Sequence, residues 1–287
     1  MRSNKIWHEL HASRFADLPS DCGNTIDPGM VDSEDFRDWS AKPTTSDQAR
    51  MERYIDRYDL SDRRVLHIGI GNSGLASRLG GRIKELVGTT VDEPEIEAAR
   101  SLGLPNYSVV LHNKYSGVNE AVAGKFDFIL DNNPTSPCCC FRHLHDLFGF
   151  YAEKLAKDGQ VVTDREGLGW IPDGVNPRCR FDFQDLAAVA EAAGFCAFEA
   201  TGSVCVLSRS APAAPEAGAQ LRHALRRVTM LPGELLGYGR RQVRRIGPRF
   251  VDSAMAIFAP GDEAGDAERE ARLARHRVSR GTQRIAR

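Results

Sequence analysis

Short apolar runs alternate with segments of helical periodicity between residues 64 and 208. Strands are predicted over residues 65–68, 86–91, 107–111, 126–130, 160–163, 197–200 and 204–207. Helices are predicted over residues 74–79, 94–100, 141–156 and 183–193. Such alternation builds a doubly wound, mostly parallel α/β sheet, so a seven-stranded Rossmann-like sheet is the expected fold class. Only residues 201–203 join the last two strands, and so short a connection makes the last strand antiparallel.

The residues before the first strand show weaker patterns. Residues 1–45 lack clear periodicity and contain the turn formers Asp27-Pro28-Gly29, so we expect an irregular arm with short helices at most. Ser46 begins a segment in which Met51 and Ile55 fall at helical spacing, and a helix is expected there. The chain then divides into an N-terminal arm and lid helix (1–59), a central α/β domain (60–210) and a linker with an arginine-rich C-terminal extension (211–287).

Composition limits the class of protein. The 287 residues are 41% hydrophobic and 27% charged, which is typical of a soluble globular protein. No apolar run approaches the roughly 18 residues of a membrane-spanning helix, and Trp7, His8 and Glu9 stand where a signal peptide would be apolar. Seven cysteines, three of them consecutive at 138–140, do not form a disulfide framework, so a reducing cytoplasmic location is expected.

The charge is unevenly distributed although the whole chain carries a net charge of −1. Residues 211–287 hold 15 arginines, no lysine and 8 acids, which leaves +7 there and −8 on residues 1–210. Three interpretations stay open for residues 219–250: helices packed on the central domain, docking to an anionic membrane surface, or binding of a polyanion such as nucleic acid. Few aromatic residues accompany these arginines, which argues against stacking on single strands.

A glycine-rich turn follows the first predicted strand. The sequence VLHIGIGNSG contains G-x-G-x-x-G at Gly69, Gly71 and Gly74, and Asp92 ends the next strand 18 residues later. Glycines let the backbone turn tightly and approach a ligand where a Cβ would collide. A carboxylate suits a ribose because it accepts hydrogen bonds from two hydroxyls. Together these residues predict a nucleotide cofactor site.

Residues 64–208 resemble a class I S-adenosylmethionine-dependent methyltransferase. The resemblance rests on VLHIGIGNSG, GTTVDEPEIEAAR, FDFILDN, EKLAKDGQVVTD and the reversed final strand. A nicotinamide-dependent dehydrogenase uses a similar glycine turn and acid. Such domains usually start near the N-terminus, however, and the closing antiparallel strand is typical of the methyltransferases. A non-catalytic relative that kept the cofactor fold is a further alternative.

The resemblance implies a set of cofactor contacts in residues 60–210, which would be the S-adenosylmethionine-binding catalytic domain. The glycines would line the methionine end, Asp92 would bind the ribose hydroxyls, and Asn113 would meet the adenine amine. Asp131 and Asn132, after the fourth strand, would lie near the sulfonium and the acceptor. The expected cofactor-binding residues are therefore Gly69, Gly71, Asn72, Gly74, Asp92, Asn113 and Asp131.

Methyl transfer needs an aligned nucleophile and, for a hydroxyl acceptor, a base. Asp131, Asn132 and His145 are the expected catalytic residues. His143, His112 and Tyr115 are alternatives for the base, whereas His67 lies inside the first strand and is expected in the core.

The acceptor is inferred from what the chain lacks. The D-N-N-P sequence departs from the N/D-P-P-aromatic motif of base-methylating enzymes at its third position, and Thr135 replaces the aromatic. A hydroxyl of a small molecule or glycan is therefore the expected acceptor. The alternative is an RNA or a protein, docked through the arginine-rich segment.

The sequence contains two candidate metal sites. Asp131 and Asp164 end adjacent strands and could share a divalent ion, but paired acids at strand ends are common without metal. The run C-C-C-F-R-H-L-H could supply thiolate and imidazole ligands. Because consecutive residues on a helix point in different directions, three adjacent cysteines cannot all face one ion. No metal ligand is therefore expected.

Overall fold

The computed structural model describes residues 4–23, 39–117, 120–136, 138–170 and 179–211. Its strands are β1 Arg64–Ile68, β2 Glu85–Thr90, β3 Tyr107–Leu111, β4 Phe126–Asp131, β5 Leu155–Asp164, β6 Cys196–Glu199 and β7 Val204–Ser208. Its helices are α1 Asn4–Arg14, α2 Ser46–Ile55, α3 Gly74–Leu79, α4 Glu93–Ser101, α5 Phe141–Lys154, α6 Arg165–Leu168 and α7 Phe183–Ala193. Single 3-10 turns cover Gly80–Arg82 and Lys114–Ser116.

Some of the sequence interpretations fall on other parts of the chain. The turn formers Asp27-Pro28-Gly29 and all but the first residue of the C-terminal extension lie outside the described residues, and so do the three interpretations of residues 219–250. Within the described residues, no helix combines the length and apolar character that crossing a membrane requires.

One seven-stranded sheet forms the centre of the fold, in the order β3-β2-β1-β4-β5-β7-β6. Strands β1 to β5 pair in parallel, whereas β7 runs antiparallel between β5 and β6. The predicted fold class and the reversed last strand are thus confirmed. This reversed strand is the feature that separates the fold from that of a nicotinamide-dependent dehydrogenase.

Helices cover both faces of the sheet, and successive strand residues face opposite layers. In β1, Val65 belongs to the apolar cluster with α2 and α3, whereas Leu66 belongs to the cluster with α1, α5 and α7. In β4, Ile129 belongs to the same cluster as Leu66, and Leu130 belongs to the same cluster as Val65. Burial on both faces explains why these strands are continuous apolar runs in the sequence.

The structure corrects several element boundaries. Helix α5 ends at Lys154 instead of residue 156, and β5 begins at once because Leu155 pairs with Phe126 across an irregularity in the ladder. The N-terminal arm holds the 11-residue helix α1, whose Trp7 is buried in the main core. The predicted helix at Ser46 is confirmed, although it ends at Ile55.

Candidate functional site

The glycine turn lies at the carboxyl end of β1. Gly69 and Gly71 have φ of 72° and 50°, which are left-handed conformations that favour glycine. The Gly69 N–H donates to the Thr89 carbonyl at 2.8 Å, so the turn is held against the end of β2. No described atom lies within 4 Å of where a Cβ on Gly69 would be, so the backbone there is open to a ligand.

Gly74 and Asn72 lie against residues 42–44, which precede the lid helix. A Cβ on Gly74 would collide with the Thr44 hydroxyl. The Asn72 amide donates to the Lys42 carbonyl at 2.7 Å and to Thr44 Oγ1 at 3.2 Å, and its Oδ1 accepts from the Gly74 N–H at 2.9 Å. Asn72 therefore holds residues 42–44 over the turn by hydrogen bonds, and Gly74 leaves the space that Thr44 occupies. The glycine motif alone did not reveal this role.

Trp39 is a further residue beside the turn that sequence reasoning missed. Its Cβ is 3.6 Å from the position of a Cβ on Gly71, and its N–H donates to Glu95 Oε1 at 3.2 Å. The Trp39 side chain is 39% exposed, so it offers an aromatic surface at the edge of the turn. An exposed tryptophan just before the lid helix was the signal that could have found it.

Asp92 follows β2, next to the glycine turn. It is the N-cap residue of α4, yet its side chain makes no capping hydrogen bond. Its backbone N–H donates to Thr90 Oγ1 at 3.1 Å, and Thr90 donates to the buried Glu95 at 2.6 Å. Because β1 and β2 are adjacent, Asp92 and the glycine turn share one edge of the sheet.

Asn113 and His112 follow β3 at the same edge. Asn113 Oδ1 accepts from the Tyr115 N–H at 3.1 Å and so caps the Lys114–Ser116 turn. The His112 ring is buried 5.0 Å from the Phe150 ring. Burial, with the nearby Lys154 charge, lowers the pKa of His112 to about 4, so the imidazole is neutral at physiological pH.

Asp131, at the end of β4, is almost fully buried and bound on both carboxylate oxygens. Oδ1 accepts from Lys114 Nζ and the Asn133 N–H, each at 3.1 Å, and Oδ2 accepts from the Tyr151 hydroxyl at 2.7 Å. Lys114 also donates to the Asn133 carbonyl. This arrangement fixes the loop after β4, which favours a positioning role for Asp131 over proton abstraction.

Asn132 joins the same loop to the lid helix. Its Nδ2 donates to Asp47 Oδ2 in α2 at 2.8 Å, and its carbonyl accepts from Thr163 Oγ1 at 3.3 Å. The Asn132 carbonyl also packs so tightly on Gly167 that a Cβ there would collide with it. Asn132 Oδ1 is buried without a hydrogen-bond partner among the described residues.

His145 lies on α5 with its ring against α1. The rings of His145 and Trp7 are 4.8 Å apart in an edge-on arrangement, and His145 Nδ1 lies 3.3 Å from Asp146 Oδ1. None of these contacts joins His145 to Asp131 or Asn132. The structure therefore places the expected base in a helix-packing position.

Asp164, at the end of β5, is saturated by hydrogen bonds. Arg50 of α2 binds both carboxylate oxygens, at 2.9 and 2.8 Å, and Ser203 donates to Oδ2 at 2.6 Å. Burial opposes the charge of Asp164, but these hydrogen bonds and that of the Glu166 N–H prevail and lower its pKa. Since Asp131 is also fully bound, these contacts do not support an ion shared by Asp131 and Asp164.

The conformation of the three consecutive cysteines contradicts the argument made from sequence against a metal site. Cys138, Cys139 and Cys140 precede α5, and Cys140 is its N-cap residue in an extended conformation. The premise that they lie on a helix was therefore wrong. The Cys138 thiol donates to the Cys140 carbonyl at 3.1 Å, and the Cys179 thiol donates to the Cys138 carbonyl. Cys139 and Cys140 both contact His143 instead. His67, by contrast, is buried in β1 as expected, and burial lowers its pKa to about 4.

Comparisons with known proteins found similarity in structure alone. No family model matches the sequence, and no curated protein matches it. The chain is similar to the sugar N-methyltransferase KedS8 from a Streptoalloteichus species, with 13% identity over 67% of this chain and 98% of that one and a TM-score of 0.46. It is also similar to a TehB-like methyltransferase from Corynebacterium glutamicum, with 17% identity over 72% and 100% of the two chains and a TM-score of 0.44. A third is the N-methyltransferase NodS from Bradyrhizobium japonicum, with 15% identity over 56% and 93% and a TM-score of 0.42.

The strand order, the antiparallel β7 and the glycine turn at the end of β1 are the features that identify the fold. In the doubly wound sheet, β1 and β4 are neighbours whose carboxyl ends carry the glycine turn and Asp131. Ligands of open α/β sheets bind at this edge. The chain has the Rossmann-like fold of the class I S-adenosylmethionine-dependent methyltransferases.

Proposed function

We propose that this protein is an S-adenosylmethionine-dependent methyltransferase. The observation that carries the proposal is the position, at one sheet edge, of a left-handed turn at Gly69 and Gly71, with open space beside Gly69, next to Asp92 at the end of β2. Backbone N–H groups in such a turn suit a carboxylate, and the Asp92 carboxylate suits two ribose hydroxyls. The proposed cofactor contacts are Gly69, Gly71 and Asp92, with Trp39 alongside the turn.

The cofactor, when bound, supplies an electrophilic methyl group on its sulfonium. The residues of the chain then have to hold the acceptor in line with that methyl group and exclude water. Asp131 serves this by fixing the loop after β4 through Lys114 and Tyr151. Asn132 holds the start of that loop to α2 through its hydrogen bond to Asp47.

The acceptor that we propose is a hydroxyl of a small molecule or glycan. The loop after β4 supports a small acceptor, because Thr135 is fully buried and the Pro134 carbonyl accepts from the buried Tyr115 hydroxyl at 2.9 Å. Thr135 is the position that would carry a base-stacking aromatic. A buried threonine offers no surface on which a nucleic acid base could stack.

Calorimetry with S-adenosylhomocysteine tests the cofactor. Wild-type protein should bind it, and Asp92→Ala should weaken binding by roughly 1–3 kcal/mol because two hydrogen bonds to a charged group are lost. Glu97→Ala is the matched control, since Glu97 is an exposed acid on the same helix and its loss should leave the affinity unchanged. Absence of binding to wild-type protein, or preferential binding of NAD, would refute the proposal.

Transfer of a labelled methyl group tests the acceptor. Purified enzyme and labelled S-adenosylmethionine are incubated with a cell extract separated into small-molecule, glycan, RNA and protein fractions. The label should enter the small-molecule or glycan fraction and resist treatments that remove methyl esters. Label in the RNA or protein fraction would contradict the proposed acceptor while leaving the methyltransferase activity intact.

A further inference from the structure

Four ligand-type side chains from separate parts of the sequence meet beside the start of α5. Cys22, Cys139, Cys140 and His143 each place one sulfur or ring nitrogen so that all four atoms lie within 4.8 Å of one another. His143 Nδ1 is 3.1 Å from Cys139 Sγ and 3.3 Å from Cys140 Sγ, and Cys22 Sγ lies 3.9 Å from the other ring nitrogen. Cys140 and His143 are buried, Cys22 is half-buried and Cys139 is exposed.

The backbone explains why Cys22 reaches this cluster from so far along the chain. The Phe141 N–H donates to the Pro19 carbonyl at 2.8 Å, and the Arg142 N–H donates to the Ser20 carbonyl at 3.0 Å. N–H groups in the first turn of a helix have no acceptor within the helix and need one from outside it. The N-terminal segment supplies those acceptors and thereby delivers Cys22 to the helix start.

We propose that Cys22, Cys139, Cys140 and His143 bind one zinc ion. Three sulfurs and one imidazole nitrogen are a known ligand set for tetrahedral zinc. A nitrogen and a sulfur bound to the same tetrahedral zinc are about 3.6 Å apart, given bonds of about 2.1 and 2.3 Å. The 3.1 and 3.3 Å separations from His143 Nδ1 are close to that spacing, so small shifts would complete the site.

Four protein ligands leave no open position on the ion, which makes the site structural rather than catalytic. It would tie three parts of the molecule together: the segment around Cys22, the turn after β4 and helix α5. The Tyr115 ring lies 6.2 Å from the His143 ring, and its hydroxyl donates to the Pro134 carbonyl. The ion would therefore brace the loop that begins at Asp131.

Charge and protonation are consistent with an ion. Three thiolates and Zn²⁺ carry a net charge of −1, and the guanidinium of Arg142, paired with Asp21 at 3.2 Å, lies beside His143. As each zinc–sulfur bond forms, the thiol releases its proton to solvent, so zinc affinity should fall as the pH is lowered. Binding through His143 Nδ1 would leave the proton on Nε2.

Titration of the full chain with Co²⁺ under reducing, anaerobic conditions tests the site. One equivalent should produce visible d–d bands of a tetrahedral ion together with sulfur-to-cobalt charge-transfer absorbance, and one equivalent of Zn²⁺ should remove both. Cys22→Ser and Cys139→Ser should each remove about a third of the charge-transfer absorbance, since one of three thiolates is lost. Each should also weaken Zn²⁺ binding by more than the roughly 10–100-fold that loss of an outer-shell partner costs.

Cys196→Ser is the matched control, because Cys196 is an exposed cysteine on β6 outside the cluster. It should bind both ions as the wild type does. Cys139 is exposed as well, so its substitution should not prevent folding even if that of Cys22 does. Absence of charge-transfer absorbance in the wild type would overturn the proposal. The proposal would also be overturned if Cys22→Ser and Cys139→Ser both bound zinc with wild-type affinity. A disulfide between cluster cysteines, in protein isolated with zinc under reducing conditions, would overturn it as well.

Discussion

Asp131 is the residue whose role the structure changes most. From sequence it is an expected catalytic residue at the end of β4. In the structure, Lys114, Tyr151 and the Asn133 N–H donate hydrogen bonds to its buried carboxylate. Asp131→Asn would leave the Lys114 ammonium, whose side chain is 12% exposed, without its counter-charge. We expect the free energy of unfolding to fall by about 3–5 kcal/mol, measured by urea denaturation, because removing one partner of a largely buried ion pair leaves an uncompensated charge in the interior.

The double variant Asp131→Asn with Lys114→Met is the control for that prediction. It removes the unpaired charge together with the carboxylate, so much of the lost stability should return. Methyl transfer abolished in Asp131→Asn with unchanged stability would contradict the positioning role. Such a result would return Asp131 to the reacting groups.

Sequence reasoning reaches some residues of the candidate site and not others, for a physical reason. Gly69, Gly71 and Asp92 are encoded locally, since a strand, a turn and the next strand's end lie within one short stretch. Partners such as Trp39 and Lys114 come from segments that only the folded chain brings to the turn and to Asp131. No spacing rule predicts such long-range contacts.

At the scale of elements, α1 depends on one aromatic anchor. Trp7 is 4% exposed and packs edge-on against Phe141, His145 and Phe148 of α5. Trp7→Ala should lower the free energy of unfolding by about 3–5 kcal/mol, as expected for removal of a buried tryptophan, with the loss read from urea denaturation. Amide hydrogen exchange should rise first in α1, because the substitution removes its main contact with the core.

His8→Ala provides the matched comparison, since the neighbouring His8 is exposed on the same helix. It should alter neither the stability nor the exchange of α1. If Trp7→Ala left both unchanged, α1 would be held to the domain by its Arg14 contact with Asp185 and not by its apolar face.

The strands were more predictable than α1 because each is encoded in a short local run of residues. Strand β3 is an edge strand, and its bounds match the predicted 107–111 because its run of aromatic and β-branched residues ends at clear turn signals. Helix α1 is short of apolar residues, and Trp7 is the one that the structure buries fully among them, so no periodic stripe marks it. The early start of β5 at Leu155 depends on pairing with Phe126, which is a tertiary contact that the local sequence does not encode.

For the whole molecule, the division of charge predicts that cofactor binding and docking to an anionic surface depend on different parts of the chain. Residues 1–210 carry −8 and hold Gly69, Gly71 and Asp92, whereas residues 211–287 carry +7. A domain with a net negative charge is repelled by anionic surfaces, so any attraction to them must come from the arginines. Deleting residues 219–287 should therefore abolish binding to anionic surfaces and leave cofactor binding unchanged.

The measurement compares the full chain with that deletion, using vesicles that contain phosphatidylserine. The full chain should bind these vesicles, because each arginine near the membrane surface contributes about 1 kcal/mol of electrostatic attraction. The affinity should fall as the salt concentration rises, because salt shortens the Debye length and screens that attraction. The deletion should lose this binding yet keep wild-type affinity for S-adenosylhomocysteine, since every proposed cofactor contact precedes residue 219. Equal vesicle binding by both proteins would assign the arginines to another role, and a loss of cofactor affinity would show that the extension completes the cofactor site.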